Sequence, residues 1–164
     1  FARISAPPPR PPASDPLAQG LFDIRQADRS FETDNFLSLA RSTYEKIVTA
    51  FAAGDRAVLR PLLSDEVYGV FDGAIAARET RKEKTAFTFV GFRDAKIVHA
   101  EMRGQTAEIT LSFDGQFISA TSNEAGAVIE GDPQTARETT DVWSFGREGG
   151  ASNWLLVATS GGLP

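Results

Sequence analysis

Cysteine is absent from the 164 residues, and histidine occurs once. Without Cys there is no disulfide, thiolate zinc site or cysteine nucleophile, and with His99 alone a two-histidine metal site is excluded. Long apolar runs are missing as well: nothing approaches the ~20 apolar residues of a transmembrane helix, and no charged-then-apolar signal segment is visible. Basic charge is not in excess either. Lys and Arg number 17 against 22 Asp and Glu, a net charge of −5 with a sequence pI of about 4.9. Neutralising phosphates needs clustered cations, so no nucleic-acid contact by the isolated domain is expected. Neither a metal nor a cofactor is expected: Asp65 and Glu66 read as first-turn helix charges, and Gly146, Gly149 and Gly150 lack the Lys and helix start of a phosphate loop.

What is present is ordinary globular material, 41% hydrophobic and 24% charged, enough for one domain whose folding hides about 70% of the unfolded chain's surface. The first stretch stands apart. Pro7, Pro8, Pro9, Pro11, Pro12 and Pro16 crowd its start, and such a run favours extended polyproline II over a packed element. Residues 1–19 are therefore expected to be a linker or docking arm, and 20–164 the folded domain. Arg3, Arg10 and Asp15 give the arm +1, so the domain carries −6. The chain opens at Phe1 rather than Met, and any membrane anchor is expected to lie outside it.

Gly20 to Asp28 is expected to form a short helix. From Asp34, residues Phe36, Leu37, Ala40, Tyr44, Ile47, Val48 and Phe51 recur at three- and four-residue spacing, which predicts an amphipathic helix capped by Asp34 and stopped at Gly54. Asp55 restarts a brief helix that Pro61 ends or bends. Ser64 caps another, with Val67, Tyr68, Phe71, Ala74 and Ile75 on one face. Beyond Lys84 the period becomes two. Phe87 to Phe92 and Ala95 to Met102 form one bent strand or two, and Gly104 turns into a long strand with Ala107, Ile109, Leu111, Phe113 and Phe117 on one face. Ser122 to Pro133 makes a looser hairpin or loop around Gly126 and Gly131. Thr139 to Phe145 and Trp154 to Thr159 pair through a glycine-containing connection at Gly146 to Asn153. Helices followed by about four antiparallel strands is an α+β order, and a curved sheet wrapped around the long helix as a half-open cone buries both economically.

Candidate chemistry is sparse. If Lys96, Val98, Ala100 and Met102 form the buried face of their strand, His99 points to solvent, and general-base work would require a fixed partner it has no evident means of finding. Asp141 fits a cavity carboxylate or, as favoured here, a structural one hydrogen-bonded at a strand end. The aromatic content is more informative: 12 Phe, 2 Tyr and 2 Trp. Tyr44, Phe87, Phe89, Phe113, Phe117, Trp143 and Phe145 are the candidate lining of an apolar pocket inside the cone, with a filled core as the alternative. Arg78, Arg81, Lys82 and Lys84 form the densest basic cluster and are the candidate contact for acidic lipid, diluted by Glu79 and Glu83 and weighed against a plain helix end satisfying its dipole.

The run Gly20-Leu21-Phe22-Asp23-Ile24-Arg25-Gln26-Ala27-Asp28, then Phe36-Leu37, Ala40, Tyr44, Ile47, Ala50-Phe51 and Gly54-Asp55, resembles the Tim44 family. So do Leu59, Pro61-Leu62-Leu63-Ser64, Val67-Tyr68 and Phe71, and the closing pieces Thr139-Thr140-Asp141-Val142-Trp143-Ser144-Phe145 and Asn153-Trp154-Leu155-Leu156-Val157-Ala158. This family comprises the import-motor anchor of the mitochondrial inner-membrane translocase and its bacterial relatives, and the bacterial form is the more similar. The resemblance implies a fold like nuclear transport factor two and a non-enzymatic adaptor or scaffold role. It implies association with the inner membrane (the bacterial one with the domain on the cytoplasmic side, or the mitochondrial matrix side), a translocase or other inner-membrane complex as partner, and affinity for acidic lipid such as cardiolipin. The family brings no catalytic residues to transfer, and the mitochondrial chaperone-binding region has no counterpart in this chain. Alternatives are an accessory subunit of a larger membrane or ribosomal assembly, on which the Pro-rich arm would dock, and a small isomerase- or dehydratase-type enzyme with an Asp, His or Tyr inside the cone.

Overall fold

The computed structural model describes residues 8–149 and 153–161. Pro7 of the arm and Gly150 of the expected connection, with 1–6, 151, 152 and 162–164, lie outside the described residues. Helix α1 runs Pro16–Ala27, with Asp15 as N-cap accepting from the Ala18 amide, so it begins ahead of the expected Gly20. The missed signal is Pro16 at the first helical position directly after an Asp cap. The described part of the arm packs along α1. Arg10 pairs with Asp23, and Gln19 Nε2 donates to the Pro11 carbonyl at 3.1 Å.

Helix α2 spans Thr33–Ala53 and ends at Gly54 in the left-handed conformation, φ 70°. Its N-cap is Glu32 rather than the expected Asp34; the Glu32 side chain caps no backbone amide and instead accepts from Asn35 Nδ2 at 2.9 Å. Asp34 is the second residue of the helix, in its first turn, where its charge suits the helix dipole. Phe36, Ala40, Tyr44, Ile47 and Val48 form its buried stripe. Helix α3, Arg56–Leu59, follows the Asp55 cap and runs into a 3-10 turn at Arg60–Leu62 containing Pro61. Helix α4, Asp65–Thr80, is capped by Ser64 and buries Val67, Phe71 and Ile75.

The sheet has five strands: β1 Lys84–Arg103, β2 Thr106–Ser122, β3 Val128–Gly131, β4 Arg137–Glu148 and β5 Leu155–Ser160. Order is β1-β2-β4-β5, all neighbours antiparallel, with β3 pairing the end of β2 beyond β4. The region expected as a loose hairpin or loop is thus a short hairpin strand. Strand β1 is one bent strand, with register shifts between Phe89 and Gly91, Phe92 and Asp94, and Ile97 and His99. Such bulges add twist and let the sheet curl around α2. The last one also reverses the faces, so Ala95 and then Ala100 are buried while Val98 is 42% exposed. The uninterrupted alternation expected over Lys96–Met102 fails there because one extra residue swaps inside for outside.

The core lies between α2 and the concave face, where Ile109, Leu111, Phe113, Trp143 and Phe145 are buried, as expected. Val142 faces outward, as its position between two inward residues of β4 requires.

Candidate functional site

Strand period places Thr85, Phe87 and Phe89 on one face of β1, opposite Thr121, Ser119 and Phe117 of β2 in register. Helical period places Tyr44, Val48, Phe51 and Ala52 above them. Between these walls and the end of α4 opens a cavity of about 270 Å³. Its apolar lining is Tyr44, Val48, Phe51, Ala52, Phe87, Phe89 and Phe117; its polar lining is Arg78, Thr85, Ser119, Thr121, Glu130, Thr139 and Asp141. The rings of Phe87 and Phe117 stack at 5.4 Å. The volume lies near the low end for ligand sites, room for one side chain or short aliphatic segment rather than a whole two-tailed lipid.

At the inner end, Tyr44 packs its ring against Trp143 at 4.5 Å and Phe113 at 4.6 Å. Its hydroxyl donates to Asp141 Oδ2 at 2.6 Å, and Asp141 is 1% exposed. Burial, and then the hydrogen bond and charge of Asp141, push the Tyr44 pKa far above the usual tyrosine range, so the hydroxyl keeps its proton. Asp141 lines the cavity and ties β4 to α2, but it does so from within β4 rather than from the strand end expected for a structural carboxylate.

At the other end, Arg78 folds inward. Its Nη1 donates to the Ala52 carbonyl at 3.1 Å and to Thr85 Oγ1 at 3.2 Å, and its Nη2 donates to the Phe51 carbonyl. Its guanidinium lies 4.9 Å from the Phe51 ring centroid. Burial lowers its pKa from the usual arginine value, while the carbonyls at the C-terminus of α2 hold the positive charge in place. Thr85 and Thr121 share a hydroxyl contact at 2.9 Å, and Thr121 is the cross-strand partner of Glu130, which completes a polar rim.

Of the seven candidate pocket residues, Tyr44, Phe87, Phe89 and Phe117 line this cavity. Phe113 and Trp143 do not: both are fully buried, packed against the Tyr44 ring. Phe145 lines a different groove beside Phe36, Leu62 and Trp154. A side chain on the concave face can reach the cavity or be covered by α2, and only the seating of α2 decides which. The basic cluster is also divided. Arg78 is turned into the fold, Arg81 pairs with Glu83 at 2.6 Å, Lys82 pairs with Glu124 at 3.2 Å, and Lys84 is exposed.

His99 is half exposed beside Glu101 at 3.6 Å and is not among the cavity-lining residues. Among the described residues, no three His, Asp or Glu gather as a metal-ligand set. The lining also includes Val48 and Phe51 of the expected helical stripe and Ala52 beside them, which follow Tyr44 by helical period, and Thr85, Ser119 and Thr121, which strand period places with the phenylalanines; none was among the candidate pocket residues. Glu130 and Thr139 carry no such signal, because their place depends on how β3 and β4 pair with β2.

A long helix held in the concavity of a curled antiparallel sheet defines an α+β domain of the nuclear-transport-factor-two type. The crystal structure of the intermembrane space region of the chloroplast protein ARC6 shares this fold, with a TM-score of 0.53 at 11% identity, over 78% of this chain and 97% of that one. A conserved protein from Planctomyces limnophilus DSM 3776 superposes with a TM-score of 0.37 at 16% identity, over 78% of this chain and 97% of that one. Within this fold class the chain belongs to the Tim44-like domain family, whose model matches residues 17–161. A relative from Homo sapiens, the mitochondrial import inner membrane translocase subunit TIM44, is 20% identical over 149 residues, 88% of this chain and 33% of that protein. The chain thus spans about a third of that relative's length.

Proposed function

We propose that this chain is a non-enzymatic adaptor domain of an inner-membrane protein complex, concerned with protein translocation or assembly, and that its cavity holds an apolar segment of lipid or polypeptide. The observation that carries the reading is the open aromatic cavity between α2 and the sheet, walled by Phe51, Phe87, Phe89 and Phe117. Such a void loses packing contacts that a guest restores. Family membership supports the setting, and the human relative is by name a subunit of an inner membrane translocase. No helix of the described residues is long and apolar enough to cross a membrane.

Titration with 1-aminoanthracene, a small apolar fluorophore, tests the cavity. One equivalent should bind, and Ser119→Phe, which fills the cavity from β2, should abolish binding without lowering the unfolding midpoint. Absence of binding to the unmodified protein overturns the reading.

The rival cone-fold enzyme draws on Tyr44 and Asp141 both lining the cavity. Against it, general acid–base work needs a group poised near the working pH, whereas Tyr44 holds its proton far into the alkaline range. The single imidazole lies elsewhere. A turnover abolished by Asp141→Asn with the fold intact would establish the rival.

A further inference from the structure

The polar groups of the cavity select the sign of charge that can enter it. Its lining includes one cation and two carboxylates. The cation, Arg78, has Nη1 and Nη2 on the Phe51 and Ala52 carbonyls and on Thr85 Oγ1. Its Nε is shut away from solvent without a hydrogen-bond partner among the described residues. An anionic guest would therefore meet a guanidinium already occupied by backbone. The negative end of the α2 dipole further offsets that charge.

The carboxylates are placed differently. Asp141 is buried at the inner end beside the Tyr44 hydroxyl, and Glu130 is exposed on β3 at the rim. The rings of Phe51, Phe87, Phe89 and Phe117 line the same cavity. Aromatic faces attract a cation and have nothing comparable to offer an anion. That a cation tolerates this wall is visible in Arg78 over Phe51.

We infer that the cavity takes the alkylammonium side chain of a lysine on a partner polypeptide, its methylene stem against the phenylalanine rings and its charge in the negative field of Glu130 and the buried Asp141. This rests on the cavity-binding reading above and narrows the guest. Three observations favour a polypeptide over a lipid headgroup. The volume of about 270 Å³ suits one extended side chain. A phosphocholine head would bring its phosphate against Glu130 at the rim. The domain's net charge of −6 complements a basic partner and repels an acidic one.

Calorimetric titration at low salt with four probes tests this: Nα-acetyl-lysine methylamide, phosphocholine, 1-butanol and butyrate. The lysine derivative should bind at least tenfold tighter than each of the others. Glu130→Gln should weaken the lysine derivative severalfold and the uncharged butanol by less, since the amide removes the charge and keeps the size of the rim side chain. Ser119→Phe should abolish every association that arises in the cavity. If butanol binds as tightly as the lysine derivative, the charge selection is wrong while the cavity reading stands. If butyrate or phosphocholine binds tightest, an anionic guest or a lipid headgroup replaces lysine. If no probe binds and 1-aminoanthracene also fails, both readings fall; if only 1-aminoanthracene binds, the lysine inference alone falls.

Discussion

The Tyr44 hydroxyl and Asp141 Oδ2 meet at 2.6 Å, across 97 positions of sequence. This joins the middle of α2 to the start of the inward-facing run of β4. Removing the hydroxyl with Tyr44→Phe takes a partner from a buried carboxylate, which costs about 1–3 kcal/mol. Urea unfolding should show the loss at neutral pH. Alkaline behaviour adds an independent check. Because the folded Tyr44 pKa is raised above its unfolded value, its contribution is fully present below about pH 10 and is lost as pH rises further. Tyr44→Phe should flatten that alkaline decline, and an identical pH profile for both proteins would refute the pairing.

Phe113 is fully buried, with its ring 4.6 Å from Tyr44 and 5.8 Å from Trp143. Phe113→Ala should destabilise the domain by about 3–5 kcal/mol. Equilibrium denaturation measures it directly, and an unchanged midpoint would contradict the assigned core.

Gly20 lies where α1 crosses β1, and a Cβ there would come within 1.6 Å of the Ala100 carbonyl oxygen. That neighbour is backbone and cannot turn aside. Gly20→Ala should therefore lift α1 from the sheet at a cost of at least the usual overpacking penalty of about 1–3 kcal/mol. Hydrogen exchange should quicken across α1 while β2 and β4 stay protected; unchanged protection of α1 would be inconsistent with so close a crossing.

Asp28 accepts from the Ser30 hydroxyl at 2.6 Å and from Arg147 Nη2 at 2.6 Å, and the Arg147 guanidinium lies 4.6 Å from the Trp154 ring centroid. The Ser30 bond foremost, and then Arg147, hold the Asp28 pKa below the usual aspartate range. Its contribution is present above the unfolded value of about 3.9 and is lost as pH falls through the folded one. Asp28→Asn should lower stability at neutral pH and reduce the acid-side slope. Equal slopes would remove Asp28 from the account.

For acidic lipid, Glu83 and Glu124 matter as much as the cations they face. Cardiolipin vesicles should bind the domain weakly and in a salt-sensitive way. Glu124→Gln should strengthen the association up to about fivefold, since each Lys or Arg freed near an anionic surface contributes about 1 kcal/mol. Reversal of Arg81 and Lys82 to Glu should weaken it. Vesicle flotation that ignores both changes would remove α4's end as a contact.

The stripe of α2, the Gly54 stop, the Ser64 cap and the alternation of β2 are local matters, and the sequence by itself determined them. Each depends on side-chain period or backbone chemistry within a few residues. The family was legible for a related reason, since its pieces keep their order and spacing along the chain. Other features belong to the tertiary structure alone. The bulge between Ile97 and His99 exchanges inside for outside without a composition signal. Arg78 reads as surface charge at a helix end, yet it is drawn inward by carbonyls of a helix that ends some 25 residues earlier. Phe87 and Phe113 look equivalent along their strands, but α2 covers one and leaves the other beside a void. The last two share one physical reason. Period says which face a residue occupies, whereas whether that face meets protein or empty space depends on how a distant element packs against it.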